Sequence, residues 1–362
     1  MPANRRPASI APMFIALRDL RFARGRFVLI ISVIALMTFM VVMLSGLAGG
    51  LGAASVSAVD ALPVTHLAFQ QPAPGQTVSF TNSTLPADTA ARLAARPGIT
   101  DAHSLGVSTT QLHKAATAAA VTVIGTDSAL FPAVASGQPP QAGQVAVTTK
   151  LADDQHLRVG DQVVIAGTNA TVAAVVADTS FNHLPVVYTD VATWQRLAHT
   201  DGVTAAALTG TPTADVAGVK VVGKKAAFDA VGGYSSEQGS LSLMRILLVV
   251  VSVLVIGSFF TVWTMQRSGD LAVVRAIGGS RGYLLRDALG QALLVMLAGT
   301  VVGAAVAAAL GIVAARAVPF ELTGASLALP LAAMTVVGLL GAAASIGRIS
   351  KVDPLSALGA VR

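Results

Sequence analysis

Cysteine is absent from this 362-residue chain, which removes disulfides, thiolate metal sites and cysteine nucleophiles in one step. Charge is scarce too: Asp, Glu, Lys and Arg make up 12% of the residues, where soluble domains carry about a quarter. Aromatics reach only 5%, so the apolar content, 54% of the chain, rests on Ala, Val and Leu. No G-x-x-x-x-G-K-[ST] occurs, so the chain carries no phosphate-cradling loop and is not itself an ATP motor. G-x-S-x-G and H-E-x-x-H are also missing, and no two histidines pair on a helix. The six histidines (66, 103, 113, 156, 183 and 199) lack metal-ligand spacing and read as scattered surface residues. The acidic pair Asp153-Asp154 reads as a solvated turn rather than a catalytic dyad.

What the chain does have is length in its apolar runs. Phe27–Leu51, Ile246–Met265, Ala288–Ala315 and Leu327–Ile346 are each long enough to cross a bilayer, which takes about 20 helical residues. Ser55-Val56-Ser57-Ala58 after the first run resembles a cleavage site. The run itself is too long for a signal-peptide core of roughly 7–15 residues, so it is expected to stay as a membrane anchor. Gly299, Gly303 and Gly311 in the third run permit close helix packing in lipid. The runs contain no Asp, Glu, Lys or His, which argues against proton- or sodium-coupled transport.

Orientation follows from where the basic residues fall. Residues 1–26, 267–287 and 347–362 together carry 13 basic and 4 acidic residues, whereas 52–240 carries 9 basic and 13 acidic. The positive-inside rule therefore puts both termini and the 267–287 loop in the cytoplasm. The net charge of +6 is a topology signal, and nucleic-acid binding drops out.

The resulting fold expectation is an integral membrane α-helical protein with four transmembrane helices and a large α+β extracytoplasmic domain between helices 1 and 2. Residues 1–26 form a cytoplasmic amphipathic helix and 27–52 the first span, followed by the external domain at 53–240. The second span is 241–266, a cytoplasmic loop follows at 267–287, and the third span is 288–315. A short external loop at 316–326, a fourth span at 327–347 and a cytoplasmic tail at 348–362 complete the chain. In the external domain, Val121–Gly125, Gln144–Thr149, Gln162–Ala166, Thr171–Ala177, Pro185–Tyr188 and Val219–Val222 read as strands. Helices are expected at 87–96 and 190–198, around a small twisted sheet or partial barrel.

Two segments carry candidate function. Asp270 to Ile277 reads as a short helix with an acidic N-terminus, ended by Gly278-Gly279. It suits docking into a groove on another protein, and it equally suits lying flat on the membrane. At the outer end of the second span, Glu237 heads a helical stripe continued by Leu241, Met244 and Leu248, with Arg245 beside it. Such a stripe can hold a flat apolar ligand and bind its metal at the rim. The same residues also fit a solvated carboxylate with Arg245 snorkelling to headgroups.

The layout and motifs resemble FtsX/MacB-type ABC permeases over essentially the whole chain. Arg267-Ser268-Gly269-Asp270-Leu271-Ala272-Val273-Val274-Arg275-Ala276-Ile277-Gly278-Gly279-Ser280 is similar to the family's coupling segment, with Asp for the usual Glu and Gly for an Ala. Asp353-Pro354-Leu355-Ser356-Ala357-Leu358 matches its terminal P-x-x-A-L, and Val159-Gly160-Asp161-Gln162-Val163 its V-G-D-x-[VI] strand start. The resemblance implies a homodimeric permease in a bacterial plasma membrane, docked on two copies of an ABC ATPase that holds ATP and Mg. Asp270, Leu271, Val274, Arg275, Ile277 and Gly278 would form the coupling contact. The chain itself would be no enzyme and hold no cofactor of its own.

Gly233-Tyr234-Ser235-Ser236-Glu237-Gln238 and Thr264-Met265-Gln266-Arg267 further resemble blocks of HrtB-type haem-efflux permeases. That narrower likeness implies haem as the transported substrate, with Glu237 from each protomer as an axial ligand to its iron. Met40, Met43, Leu44, Leu47, Leu241, Met244 and Leu248 would wall the pocket, and Arg245 would meet a propionate. Membrane lipid is the remaining partner. Two rival readings stay open: export of a lipid, lipoprotein, peptide or drug, and signalling to a cell-wall hydrolase or sensor.

Overall fold

The computed structural model describes residues 24–115, 117–212, 216–266, 269 and 280–349. They divide into two units: Gly50–Ser240, and the residues up to Gly49 together with those from Leu241 onward. Residues 1–23 of the expected N-terminal amphipathic helix and the coupling segment 270–278 fall outside the described residues.

Among the described residues the membrane unit is built from four helices, α1 (Arg24–Asp60), α5 (Tyr234–Gln266), α6 (Arg281–Ala314) and α7 (Gly324–Ile349). Among the described residues, three stretches are long and apolar enough to cross a membrane: Phe27–Asp60, Tyr234–Gln266 and Arg286–Ala314. In α7 the apolar stretch Pro330–Gly341 is shorter. These helices are apolar on every side, as expected of helices solvated by lipid as well as by each other. Phe27, Ile34, Phe260, Trp263, Met296 and Met334 form the bundle core. Glycine sets the closest approach. A Cβ on Gly299 would lie 2.6 Å from Cβ of Ile34, and one on Gly303 would collide with the Ala35 carbonyl oxygen, so α6 packs directly against the α1 backbone.

Helix boundaries differ from the apolar runs. α1 continues past the first run to Asp60, and Ser55 and Ala58 are buried within it, so the segment resembling a cleavage site is helical. α6 already begins at Arg281, inside the stretch expected to be loop. The hydrophobic run marks the part of a helix that needs lipid; the backbone ladder carries on through polar residues beyond it.

The external unit is α+β. Its strands are β1 (His66–Gln70), β2 (Leu85–Pro86), β3 (Ile99–Lys114), β4 (Thr117–Thr126), β5 (Val134–Gly137), β6 (Gln144–Thr148) and β7 (Gln162–Ile165). They continue with β8 (Thr168–Val176), β9 (Ser180–Phe181), β10 (Leu184–Thr189), β11 (Gly202–Val203), β12 (Ala205–Gly210) and β13 (Val219–Gly223). Three short helices complete it: α2 (Thr89–Ala94), α3 (Thr149–Asp154) and α4 (Val191–Ala198). The main sheet runs β13-β1-β12-β3-β4-β10-β6-β8-β5, and β7 pairs with both β3 and β8. Strands β3, β4, β10, β6, β8 and β7 therefore close on themselves, which removes their free edges. The expected small sheet or partial barrel is thus a closed circuit with a three-strand extension. Most pairs are antiparallel; β4–β10 and β6–β8 are parallel.

Trp194 of α4 plugs this sheet. Gly106 and Gly125 are a cross-strand pair, and a Cβ on either would overlap the Trp194 side chain. The pair is a slot for the indole, whose Nε1 donates to Ser108 Oγ at 3.0 Å. The Val159-Gly160-Asp161 motif is a turn: Gly160 takes φ +96°, and Asp161 Oδ2 accepts from Lys114 Nζ at 2.6 Å and from the Arg158 backbone N–H at 2.8 Å. The Lys114 hydrogen bond first, and that of Arg158 second, hold the Asp161 carboxyl below its ordinary value. The motif positions a strand.

Candidate functional site

Glu237 lies in the first turn of α5, where the free N–H groups and the helix dipole favour a carboxylate. Gly233, with φ +83°, turns the chain into that helix. Two other segments of the external unit meet the carboxylate. One is α1, through Ser55. The other is the β9–β10 hairpin, whose two-residue loop is Asn182-His183.

Both loop residues have left-handed backbones, φ 49° and 63°, as the tight hairpin loop that matches strand twist requires. Their N–H groups then point at α1: Asn182 donates to the Ser55 carbonyl at 2.9 Å and His183 to that of Ala54 at 3.0 Å. The hairpin tip is pinned on the helix by its own backbone, and the His183 ring follows. His183 Nε2 lies 3.2 Å from Glu237 Oε2 and 3.1 Å from Ser55 Oγ. Ser55 Oγ is 3.3 Å from the same Oε2 and 3.1 Å from the Leu51 carbonyl oxygen, one turn back. Two side chains from distant segments, Ser55 and His183, thus converge on one carboxylate oxygen of Glu237. The cluster is reachable: the Glu237 side chain is 25% exposed and that of His183 43%.

The other residues singled out by sequence lie on the membrane unit. On α1, Met40 is exposed, while Met43, Leu44 and Leu47 are half-buried. On α5, Met244 is exposed and Leu241 and Arg245 are half-buried. Leu248 packs partly against the bundle core, which limits what it can offer a ligand. Asp270, Leu271, Val274, Arg275, Ile277 and Gly278 lie outside the described residues. Asp153 and Asp154 are exposed at the end of α3.

The histidines are less scattered than the sequence reading held. His183 joins Glu237, and His103 bridges two carboxylates, with Nδ1 2.9 Å from Asp127 and Nε2 2.9 Å from Asp101. Burial is the largest single influence on His103 and lowers its pKa. The hydrogen bonds and charges of the two aspartates together outweigh it, so the net direction is up. Among the described residues no cluster of three or more His, Asp or Glu is arranged to hold a bare metal ion. Tyr188, pushed up to about 12 by burial, stays protonated beside Thr179 and offers no acid–base chemistry. The Asn182-His183 turn between Phe181 and the apolar Leu184–Tyr188 was the sequence signal for the hairpin; nothing local told which helix it would touch.

The external unit also holds a cleft of about 370 Å³ between Phe80, Phe181 and Trp194, rimmed by hydroxyls of Ser83, Ser108, Thr109 and Thr204.

Long apolar helices joined to a large α+β unit give the chain the build of a membrane protein with a large domain outside the bilayer. Residues 27–221 match the MacB-like periplasmic core domain, and residues 242–354 match the FtsX-like permease C-terminal family. The chain belongs to the FtsX/MacB family of ABC transporter permeases. An uncharacterized ABC transporter permease of Mycobacterium tuberculosis is 30% identical over 357 residues, covering 96% of this chain and 99% of that one. HrtB of Staphylococcus haemolyticus, named as a hemin transport system permease protein, is 28% identical over 252 residues, 66% of this chain and 70% of its own. The periplasmic region of MacB from Actinobacillus actinomycetemcomitans aligns with a TM-score of 0.36 at 10% identity, over 48% of this chain and 95% of that one.

Proposed function

We propose that the protein is the permease subunit of an efflux pump that exports haem, or a similar planar amphiphile, from the outer region of the membrane. The observation that carries this reading is Glu237: a partly exposed carboxylate at the head of a long apolar helix, oriented by Ser55 and His183. A carboxylate oxygen can ligate ferric iron, and two related by a dimer axis can take both axial positions. The name of the Staphylococcus haemolyticus relative supports haem as the cargo. The apolar wall would be drawn from Met40, Met43, Leu44, Leu47, Leu241, Met244 and Leu248, with Arg245 meeting a propionate.

In this reading the chain spans a bacterial plasma membrane four times, with both termini cytoplasmic. It works as a homodimer on two ABC ATPase subunits, which bind ATP and Mg. Residues 270–278 would dock on those subunits, and ATP binding there would draw the second spans together and expel the ligand laterally. Spans without internal Asp, Glu, Lys or His fit this closure better than an ion-coupled cycle.

Purified permease should show a haem absorption band that Glu237→Ala abolishes; unchanged affinity in that variant would sink the site. A second reading keeps the permease and changes the cargo to a lipid, lipoprotein, peptide or drug. It is favoured by the aromatic, hydroxyl-rimmed cleft around Trp194. Stimulation of the partner ATPase by such compounds, with no response to haem, would decide for it.

A further inference from the structure

We propose that His183 and Ser55 are positioning residues for Glu237: they hold Oε2 so that Oε1 faces the iron of ferric haem. The inference rests on the haem reading above and adds the groups that make one glutamate a directional ligand.

Three observations carry it. First, both side chains address the same oxygen, Ser55 Oγ at 3.3 Å and His183 Nε2 at 3.2 Å, and among the described residues no group bonds Oε1. One oxygen is tethered and the other is free to coordinate. Second, the tether is built deliberately by the fold. The left-handed backbones of Asn182 and His183, φ 49° and 63°, seat the hairpin tip on the Ser55 and Ala54 carbonyls and so bring the His183 ring to Glu237. Third, the bonds are long, between 3.1 and 3.3 Å. They orient the carboxylate without taking it out of play. Ligating carboxylates are themselves commonly hydrogen-bonded, and losing that outer partner typically weakens metal affinity by about ten- to a hundredfold.

The ring's own geometry argues against His183 as a direct ligand, since Nε2 is already turned onto Oε2 and Ser55 Oγ. A lone carboxylate in a first helical turn would swing through several rotamers. Fixed by two donors, it presents one lone pair in one direction.

The test is a hemin titration of the full-length permease in detergent, read by absorbance. His183→Asn is the key variant, because Asn tolerates the left-handed backbone while its shorter amide withdraws from Glu237. Its haem affinity should fall about ten- to a hundredfold with the band position unchanged, because the iron ligand remains. Ser55→Ala should weaken binding in the same direction, and His183→Gln, whose amide N–H reaches further, should recover most of the loss. Thermal unfolding of each haem-free variant confirms that the hairpin is intact. Wild-type affinity in both His183→Asn and Ser55→Ala, beside lost binding in Glu237→Ala, overturns the positioning role and leaves the haem reading standing. A band shift in His183→Asn like that of Glu237→Ala makes His183 an iron ligand and also overturns it. Retained binding in Glu237→Ala removes Glu237 as the haem site, and the positioning role with it.

Discussion

The two units of the chain use the same hydroxyl side chains in opposite ways. In the membrane unit, Ser252, Ser258, Thr261, Thr264, Thr300 and Thr335 each donate to a carbonyl one turn back on their own helix. In the external unit, hydroxyls stitch distant segments: Ser83 Oγ donates to the Thr204 carbonyl, Thr189 to that of Gln144 and Thr126 to that of Ser104. A polar group in lipid must be satisfied internally, and the nearest acceptor is its own helix. Within a water-soluble fold the alternative partner is water, so a hydroxyl is kept buried where it ties two strands or a loop together. Ser55 sits between the two uses: its one hydroxyl proton has the Leu51 carbonyl in reach at 3.1 Å and Glu237 Oε2 at 3.3 Å, and serves one of them at a time.

Packing separates the units in the same way, and the largest predicted effect tests it. Trp194 is 3% exposed in its glycine slot, so Trp194→Ala should cost the external unit about 3–5 kcal/mol. Leu254 on α5 is 65% exposed in the bare protein, and Leu254→Ala should shift stability by no more than about 0.5 kcal/mol. The chain has just two tryptophans, Trp194 and Trp263, one in each unit. In Trp194→Ala the remaining emission therefore reports the membrane unit alone, while limited proteolysis reports the external one. Early proteolysis with an unchanged Trp263 transition is the expected result. Simultaneous loss of both would mean that the units unfold together and that the contrast is only local.

How much of this was legible follows the same division. Apolar runs announce lipid-solvated helices directly, so α1, α5 and α6 could be read off the chain. They did not announce where those helices end, because Leu51–Asp60 and Arg281–Asp287 are helical by backbone bonding rather than by hydropathy. Among the strands, Val121–Gly125 and Gln144–Thr149 carried β-branched runs and were visible, as were the helices at 87–96 and 190–198. β3 was missed because its core-facing positions include Gly106, which looks like a turn until Trp194 is placed over it. Glu237 was visible through its helical stripe and a family block. His183 and Ser55 are 128 residues apart, and only the strand pairing brings them together.

A middle-sized effect sharpens the contrast in hydroxyl use. Ser83 Oγ accepts the Gln70 N–H at 2.9 Å while donating to the Thr204 carbonyl at 2.7 Å. Ser83→Ala leaves the part-buried Gln70 N–H and the buried Thr204 carbonyl without that partner and should cost about 1–3 kcal/mol. Ser252 is buried too, but the Leu248 carbonyl it contacts keeps its place in the helical ladder, so Ser252→Ala should change stability by about 0.5 kcal/mol at most. Equal losses in thermal unfolding would erase the distinction between stitching and back-bonding.

The smallest effect is a pH dependence confined to the external unit. His103 lies between Asp101 and Asp127, and an imidazole that meets carboxylates through both nitrogens must carry both protons. Its folded pKa is raised above an unfolded value of about 6.5. The sign then follows: below about 6.5 the ring is charged in both states and its contribution is complete, and as pH rises through the folded pKa that contribution is lost. Asp161 works in the opposite direction, since its lowered pKa stabilises above the ordinary carboxylate range and fades in acid, well below this window. Proteolytic resistance of the external unit should therefore decline modestly from neutral toward alkaline pH, and His103→Gln should flatten that decline while leaving the Trp263 transition where it was. A slope that survives the substitution would assign the dependence to another group and would leave the Asp-His-Asp bridge a static contact.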